Sequence, residues 1–340
     1  MSPADRSAAD PGTELLPPSL TRPRLACEPP LWARGPHLQT VLANYLPSPV
    51  PDLPWQQLEL PLGDGDALAV RCLEGGSGLA VLLFHGLGGS ADGHYMRRLS
   101  ARLHAAGHAV LAVNHRSAGE GAGLARTTYH SGSTVDLEAA IALGRERFPG
   151  RLLAAVGFSI SGNMLLLLLG RGGGQLPDRA IAVNPPVDLE ACSRRLGRGF
   201  NRVYDRYFVA KVRRQVLARP GAGALARTRT LRAFDALYTA PAAGFPSRDA
   251  YYALCSSGPH LAGIRVPTVI LTALDDPFAP GADVLACPRS PWVHLHAERH
   301  GGHMGYLSRN LADCRWLDYA VLHYLGQWAP GWQDALDIGY

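Results

Sequence analysis

Short, uninterrupted apolar runs punctuate the chain, and between them apolar positions recur with helical spacing. The runs are "GLAVLLFHG" (78–86), "HAVLAVNHR" (108–116), "RLLAAVGFS" (151–159), "RAIAVNPP" (179–186) and "VPTVILTALDD" (266–276). A run that is apolar at every position leaves no face for water, so each reads as a strand covered on both sides. The intervening segments "DGHYMRRLSARLHAAG" (92–107), "STVDLEAAIALGRERF" (133–148) and "ISGNMLLLLLGR" (160–171) read as helices. The first stops at Gly107, and the second starts on a Ser/Thr cap and ends before Pro149. A hairpin is expected earlier, over "QQLELPLGDGDALAVRCLE" with its turn at Gly63–Asp66. "PWVHLHAERH" (291–300) supplies a last strand and "RNLADCRWLDYAVLHYLGQW" (309–328) a closing helix. Strands alternating with helices predict an α/β fold whose central sheet is mostly parallel and carries helices on both faces.

The alternation breaks after Pro186, where residues 188–246 hold amphipathic helical pattern and no strand. This segment is expected to be an inserted helical cap over a core made of residues 29–187 and 247–340. Residues 31–56, rich in Pro and Trp, read as a wrap over that core, and residues 1–28 as a flexible Pro-rich leader. The leader lacks the apolar stretch of a signal peptide, and no apolar run reaches the roughly 18 residues a membrane span needs. Six dispersed cysteines with no C-x-x-C pair suit free thiols in a reducing compartment, so a cytoplasmic location is expected.

Charge is uneven. Residues 194–232 carry net +11, against +5 for the whole chain, which leaves the remainder at −6. No aromatic stacking platform accompanies these arginines, which counts against nucleic acid as a partner. Two readings remain: a solvated helix face, the preferred one, and a surface giving weak peripheral contact with anionic substrate or membrane.

In an open parallel sheet, chemistry collects in the loops beyond the carboxyl ends of the strands. Those loops here are "HGLGGS" (85–90), "NHRSAGE" (114–120), "GFSISG" (157–162), "NPPVD" (184–188), "LDDPFAP" (274–280) and "ERHGGHMGY" (298–306). A serine, a carboxylate and a histidine arrive in that order. A serine hydroxyl needs exposure, a base and oxyanion donors to act as a nucleophile. "GFSIS" resembles the strand–turn–helix elbow that exposes such a serine, with small residues required two before and two after it. Gly157 meets the first demand and Ser161 the second imperfectly; centring the turn on Ser161 would place Ser159 and Asn163 at the flanks, which is worse. Ser159 is therefore the candidate nucleophile.

The backbone N–H groups of Ile160 and Leu87 are the candidate oxyanion donors. His303, between glycines after the last strand, is the candidate base, with His300 its rival. Asp275 and Asp276 are adjacent; the pattern G-x-x-D followed by an apolar residue and proline, with Ala273 at the glycine position, favours Asp276. His85 is expected to hold its loop, and His85, Gly86, Phe158, His300 and Met304 are candidates to line the substrate site. Taken singly, each has a bland reading as a helix cap or loop residue; their order Ser…Asp…His at strand ends favours a triad. The chemistry needs neither metal nor organic cofactor.

From about residue 29 to 328 the chain resembles the YheT-like branch of the α/β-hydrolases. The resemblance is carried by "PPLWARGPHLQT", "HGLGGS", "YHSGSTVDL", "GFSISGN", "FDALYTAPAAGF", "LDDPFAP" and "HGGHMGY". The branch's elbow reads G-F-S-x-G-G-N and its second loop N-x-R-G, so Ser161 and Ser117 are departures, and the role of Arg116 is open. The resemblance implies a serine hydrolase acting on small-molecule or lipid carboxylic esters, of the short- or medium-chain acyl or monoacylglycerol-like kind, with no N-terminal anchor expected. An acyltransferase using the same triad, and a non-catalytic ligand- or partner-binding protein on a hydrolase scaffold, are the competing functions. Oligomeric state is not read from the sequence.

Overall fold

A computed structural model of the chain describes residues 20–47, 49–76, 78–216 and 222–329. Among them, eight strands form one sheet in the order β1-β2-β4-β3-β5-β6-β7-β8. The strands are β1 (Gln56–Pro61), β2 (Ala67–Leu73), β3 (Ala80–Phe84), β4 (Ala109–Val113), β5 (Leu153–Phe158), β6 (Arg179–Val183), β7 (Thr268–Ala273) and β8 (Val293–Glu298). Strand β2 runs against both neighbours, and β3 to β8 are parallel. Every position of β3, β4, β5 and β7 is buried, as uniformly apolar strands require.

Two apolar layers cover the sheet, and side-chain alternation divides the strand residues between them. Val81, Leu83, Val156 and Phe158 face one side with α2 (His94–Ala105) and α11 (Trp316–Gly326). Leu82, Phe84 and Ala155 face the other with α3 (Thr134–Arg147) and α4 (Ile160–Arg171). Between β6 and β7 the chain is helical: α5 (Leu189–Leu196), α6 (Arg202–Val216), α7 (Leu231–Phe234), one π-turn over Asp235–Thr239, α8 (Ala240–Ala242) and α9 (Arg248–Cys255). Helix α9 lies past residue 246 yet packs with Leu189 and Ala240 through Tyr251 and Tyr252, so this helical layer runs further than the sequence pattern suggests. The short α10 (Gly281–Leu285) follows β7.

Three expectations need correction. The wrap at residues 31–56 contains a helix, α1 (Pro36–Tyr45), begun by Pro36 at its first position. The closing helix starts at Trp316; residues 307–315 instead fold back through a bridge between Leu307 and Arg315. There Ser308 and Asp313 accept backbone N–H groups of Asn310 and Arg315, offering the chain a local alternative to helix. Of the leader, residues 1–19 lie outside the described residues. Residues 20–28 are anchored: the Thr21 N–H donates to Gln327 Oε1, Trp316 donates to the Leu25 carbonyl, and Cys27 is buried.

The Arg116 guanidinium, left open above, binds Asp136 through two nitrogens and reaches Asp64 and Asp66 with the third. It ties the β1–β2 turn and the loop after β4 to α3. Ser117 sits at φ 61°, a conformation glycine adopts freely, and its hydroxyl donates to the Thr127 carbonyl.

Candidate active site

Ser159 follows β5 and precedes α4, with φ 54° and ψ −115°. A non-glycine residue held there is strained by about 1–3 kcal/mol. The surroundings impose it: β5 and α4 meet so closely that a Cβ on Gly157 would lie 2.5 Å from the Ser161 carbonyl oxygen. Ser161 is fully buried, and its hydroxyl donates to the His85 carbonyl (2.5 Å) and accepts from His115 Nε2 (2.7 Å). The departure from glycine is thus absorbed by a second departure-loop residue, His115, rather than by a distorted turn. Asn163, the last residue of the elbow motif, bonds the Cys255 carbonyl and the Ser257 N–H and fastens α4 to the segment after α9.

The histidine loop brings His303 to Ser159. His303 Nε2 lies 2.8 Å from Ser159 Oγ, and Nδ1 lies 2.7 Å from Asp276 Oδ2. Because the carboxylate can only accept, Nδ1 carries the proton and Nε2 is free to accept the serine's. Asp276 also takes the N–H groups of Phe278 and Ala279 on Oδ1 and the amide of Asn184 on Oδ2. Burial works against its ionisation, but His303 and these N–H donors outweigh it and hold the carboxyl below the ordinary aspartate range. Asp275 points elsewhere: it accepts the Gly302 N–H and lies 3.5 Å from His300. The structure therefore places Asp276 with His303, and Asp275 with the rival His300.

Sequence reasoning missed three supports. Asn184, at φ 45°, bridges Asp276 and the Gly302 carbonyl, which lie in the loops after β7 and β8, far from it along the chain. Thr40 and Gln39 belong to α1: Thr40 Oγ1 accepts the His303 N–H, and Gln39 Oε1 accepts the Leu307 N–H. Helix α1 packs so tightly here that a Cβ on Gly305 would fall 2.3 Å from the Gln39 carbonyl oxygen. The glycines around His303 thus permit close approach as well as turning.

The loop after β3 is held from several sides. Tyr95 OH accepts the Gly86 N–H and Tyr129 OH the Gly88 N–H. His85 Nε2 accepts the His115 N–H, so Nδ1 carries the proton given to the Gly86 carbonyl. Burial pushes the His85 pKa down to about 4 and the His115 pKa well below its usual value, so both rings are neutral at pH 7. With the neighbouring N–H groups taken, those of Leu87 and Ile160 have no hydrogen-bond partner among the described residues.

A cavity of about 840 Å³, counted out to its mouth, opens between Ser159 and the helices that follow β6. Leu87, Ile160, Leu196, Phe208, Val212 and Phe278 supply apolar wall; Ser131, Gln215, Asp235, Thr239 and Tyr252 supply polar wall. Asp235 accepts from Tyr252 OH and Thr239 Oγ1, each at 2.7 Å, and burial raises its pKa to about 6. His85, Gly86, Phe158, His300 and Met304 are not among the residues lining this cavity, which differs from their expected role. Phe158 precedes Ser159 by one position, so alternation sends it through the sheet against Tyr95 on the far side. His85 lies beneath its loop as a neutral prop, Met304 packs with the far-side layer and His300 stands half-exposed at Asp275. Gly86 does abut the nucleophile, since a Cβ there would sit 3.5 Å from that of Ser159.

Among the described residues no cluster of side chains could hold a metal ion, and no helix is long and apolar enough to cross a membrane. Residues 81–314 match the model of the alpha/beta hydrolase family. A protein of Escherichia coli named "Putative esterase YheT" is 35% identical over 85% of this chain and 89% of its own. Phospholipase ABHD3 of Mus musculus is 25% identical over 82% of this chain and 72% of its own. Among solved structures, the Pyrococcus furiosus esterase Pf2001 superposes with a TM-score of 0.54 at 17% identity, over 82% of this chain and 99% of its own, a likeness of fold. The chain belongs to the alpha/beta hydrolase family, in its YheT-like branch.

Proposed function

We propose that this carboxylic ester hydrolase works through an acyl-serine intermediate formed on Ser159, with His303 as proton carrier and Asp276 as its orienting anion. The observation that carries the reading is the continuous relay from Ser159 Oγ, which lines a largely apolar cavity, through His303 to the buried Asp276. Ser159 Oγ attacks the acyl carbon while its proton passes to His303 Nε2. The imidazolium so formed is stabilised at Nδ1 by the Asp276 carboxylate. The carbonyl oxygen, now an oxyanion, takes the unused N–H groups of Leu87 and Ile160, donors fixed before reaction and so needing no reorganisation. Collapse breaks the ester C–O bond, and the departing alkoxide takes the proton from His303. Water then gives a proton to His303 Nε2, attacks the acyl carbon and releases the acid with Ser159 restored.

The substrates proposed are acyl esters of short or medium chain, or monoacylglycerol-like lipids. The apolar wall suits an acyl chain and the polar wall around Asp235 suits an alcohol bearing further hydroxyls; the lipid-cleaving name of the mouse relative supports the class. The test is labelling of purified protein with a fluorophosphonate, alongside hydrolysis of a panel of acyl esters. Labelling and turnover abolished in Ser159→Ala and reduced but still present in Ser161→Ala are expected. A folded wild type that neither labels nor turns over any ester overturns the reading, and loss only in Ser161→Ala moves the nucleophile two residues on.

A further inference from the structure

Helix α1 meets the start of α6 at the surface. His37 Nδ1 is 3.0 Å from Tyr204 OH, and the His37 ring is 4.5 Å from that of Phe200. Each carries an outward apolar stripe at helical spacing. On the first, Leu38 and Tyr45 are exposed, continuing from Leu31 and Trp32 just before the helix. On the second, Val203 and Tyr207 are each more than half exposed, as is Phe200 in the turn just before the helix. These seven make up most of the large apolar side chains exposed among the described residues, gathered on two helices and the short turns that lead into them. Isolated exposed apolar residues are ordinary; a contiguous group marks a contact surface.

The stripe is rimmed by cations. Arg34, Arg198, Arg202, Arg206 and Arg214 are exposed, and none has an ion-pair partner among the described residues. The one acid of residues 194–232, Asp205, is buried and spent on the Leu231 N–H, so it offsets nothing at the surface. A solvated arginine face, the reading preferred from charge alone, has no reason to carry a band of aromatic and aliphatic groups along its axis. A second copy of the chain would bring arginines against arginines. Apolar groups flanked by cations instead match an anionic lipid surface, where the rings enter the acyl boundary and the guanidinium groups meet headgroup phosphates.

We propose that α1 and α6, with the short turns that lead into them, form a docking face for an anionic lipid surface. The same helices wall the catalytic histidine: Thr40 binds its N–H, and Tyr204 and Phe208 pack on Phe278, whose ring lies 4.2 Å from that of His303. Docking therefore sets the ester-cleaving site proposed above beside its lipid source, although the docking itself does not depend on that chemistry.

The experiment is vesicle co-sedimentation of the full chain carrying Ser159→Ala, so that binding is read without lipid hydrolysis and stands or falls apart from the catalytic proposal. Vesicles of phosphatidylglycerol mixed with phosphatidylcholine should retain the protein at low salt. About 0.5 M salt, where screening length falls to about 4 Å, should release most of it. Arg206→Glu with Arg214→Glu, and separately Tyr45→Ser with Tyr207→Ser, should each weaken partitioning by at least about tenfold while leaving the thermal transition in place. The face is wrong if no vesicle binds, if pure phosphatidylcholine binds equally, or if the tyrosine variant binds as well as its parent. It is also wrong if a DNA duplex binds more tightly than the anionic vesicles, or if the tyrosine substitutions abolish a dimer that shows no vesicle binding.

Discussion

Replacing Ser161 by alanine removes one buried oxygen, and two groups lose their partner. The His85 carbonyl loses a donor at 2.5 Å, and His115 Nε2–H loses an acceptor at 2.7 Å, in a place with no access to water. His115 already has an unpartnered Nδ1, so the ring has no alternative to turn to. Each orphaned buried polar group costs about 1–3 kcal/mol, which sums to a loss of about 2–6 kcal/mol. The effect reaches the chemistry through His85, whose carbonyl starts the loop that aims the Leu87 N–H. A loosened loop weakens oxyanion stabilisation, so kcat falls while KM holds. The assay pairs urea unfolding, followed by tryptophan fluorescence, with ester turnover for Ser161→Ala, His115→Ala and the double variant. Because both side chains share one hydrogen bond, the double variant should cost less than the sum of the singles by about 0.5–3 kcal/mol. A Ser161→Ala protein within about 0.5 kcal/mol of wild type, or strictly additive costs, refutes the network's role.

The two adjacent aspartates should separate cleanly. Asp276→Asn should lower kcat by about 10⁴, since an amide cannot hold His303 in the tautomer that accepts from serine, whereas Asp275→Asn keeps an acceptor for the Gly302 N–H and should cost less than about tenfold; equal losses would contradict the assignment. Asp235 gives a pH signature. Its folded pKa of about 6 lies above the unfolded value of about 4, so its contribution to stability is present below pH 4 and lost as pH rises through 6. Relative to Asp235→Asn, wild type should therefore lose up to about 3 kcal/mol between pH 4 and pH 7, measured by urea unfolding at each pH; a flat difference would show that the carboxyl is not buried as described.

Departures from a family pattern turned out to be informative in pairs. Ser161 stands where the elbow has glycine, and the hydroxyl it adds is answered by His115 in the loop after β4. Ser117 stands at another glycine position and takes the left-handed conformation all the same, with its hydroxyl bound to Thr127. Neither compensation is visible along the chain, because the partners are 46 and 10 residues away in sequence.

The sequence by itself determined the layered α/β architecture, since runs such as Ala80–Phe84 and Leu153–Phe158 are apolar at every position and can exist only inside a sheet covered twice. It also placed Ser159, Asp276 and His303 just beyond the ends of three parallel strands, because local turn chemistry is written in adjacent residues. What joins across the fold was left to tertiary structure. Asn184 reaches Asp276 over 92 residues, and Thr40 reaches His303 over 263. The cavity faces Ser159 but not Phe158 because neighbouring strand residues point to opposite sides. The exposed stripes of α1 and α6 become one surface only when folding sets His37 against Phe200. Periodicity and turn preference act between near neighbours, and so are legible in order along the chain; hydrogen bonds between distant elements depend on the packing distance that brings their atoms within about 3 Å.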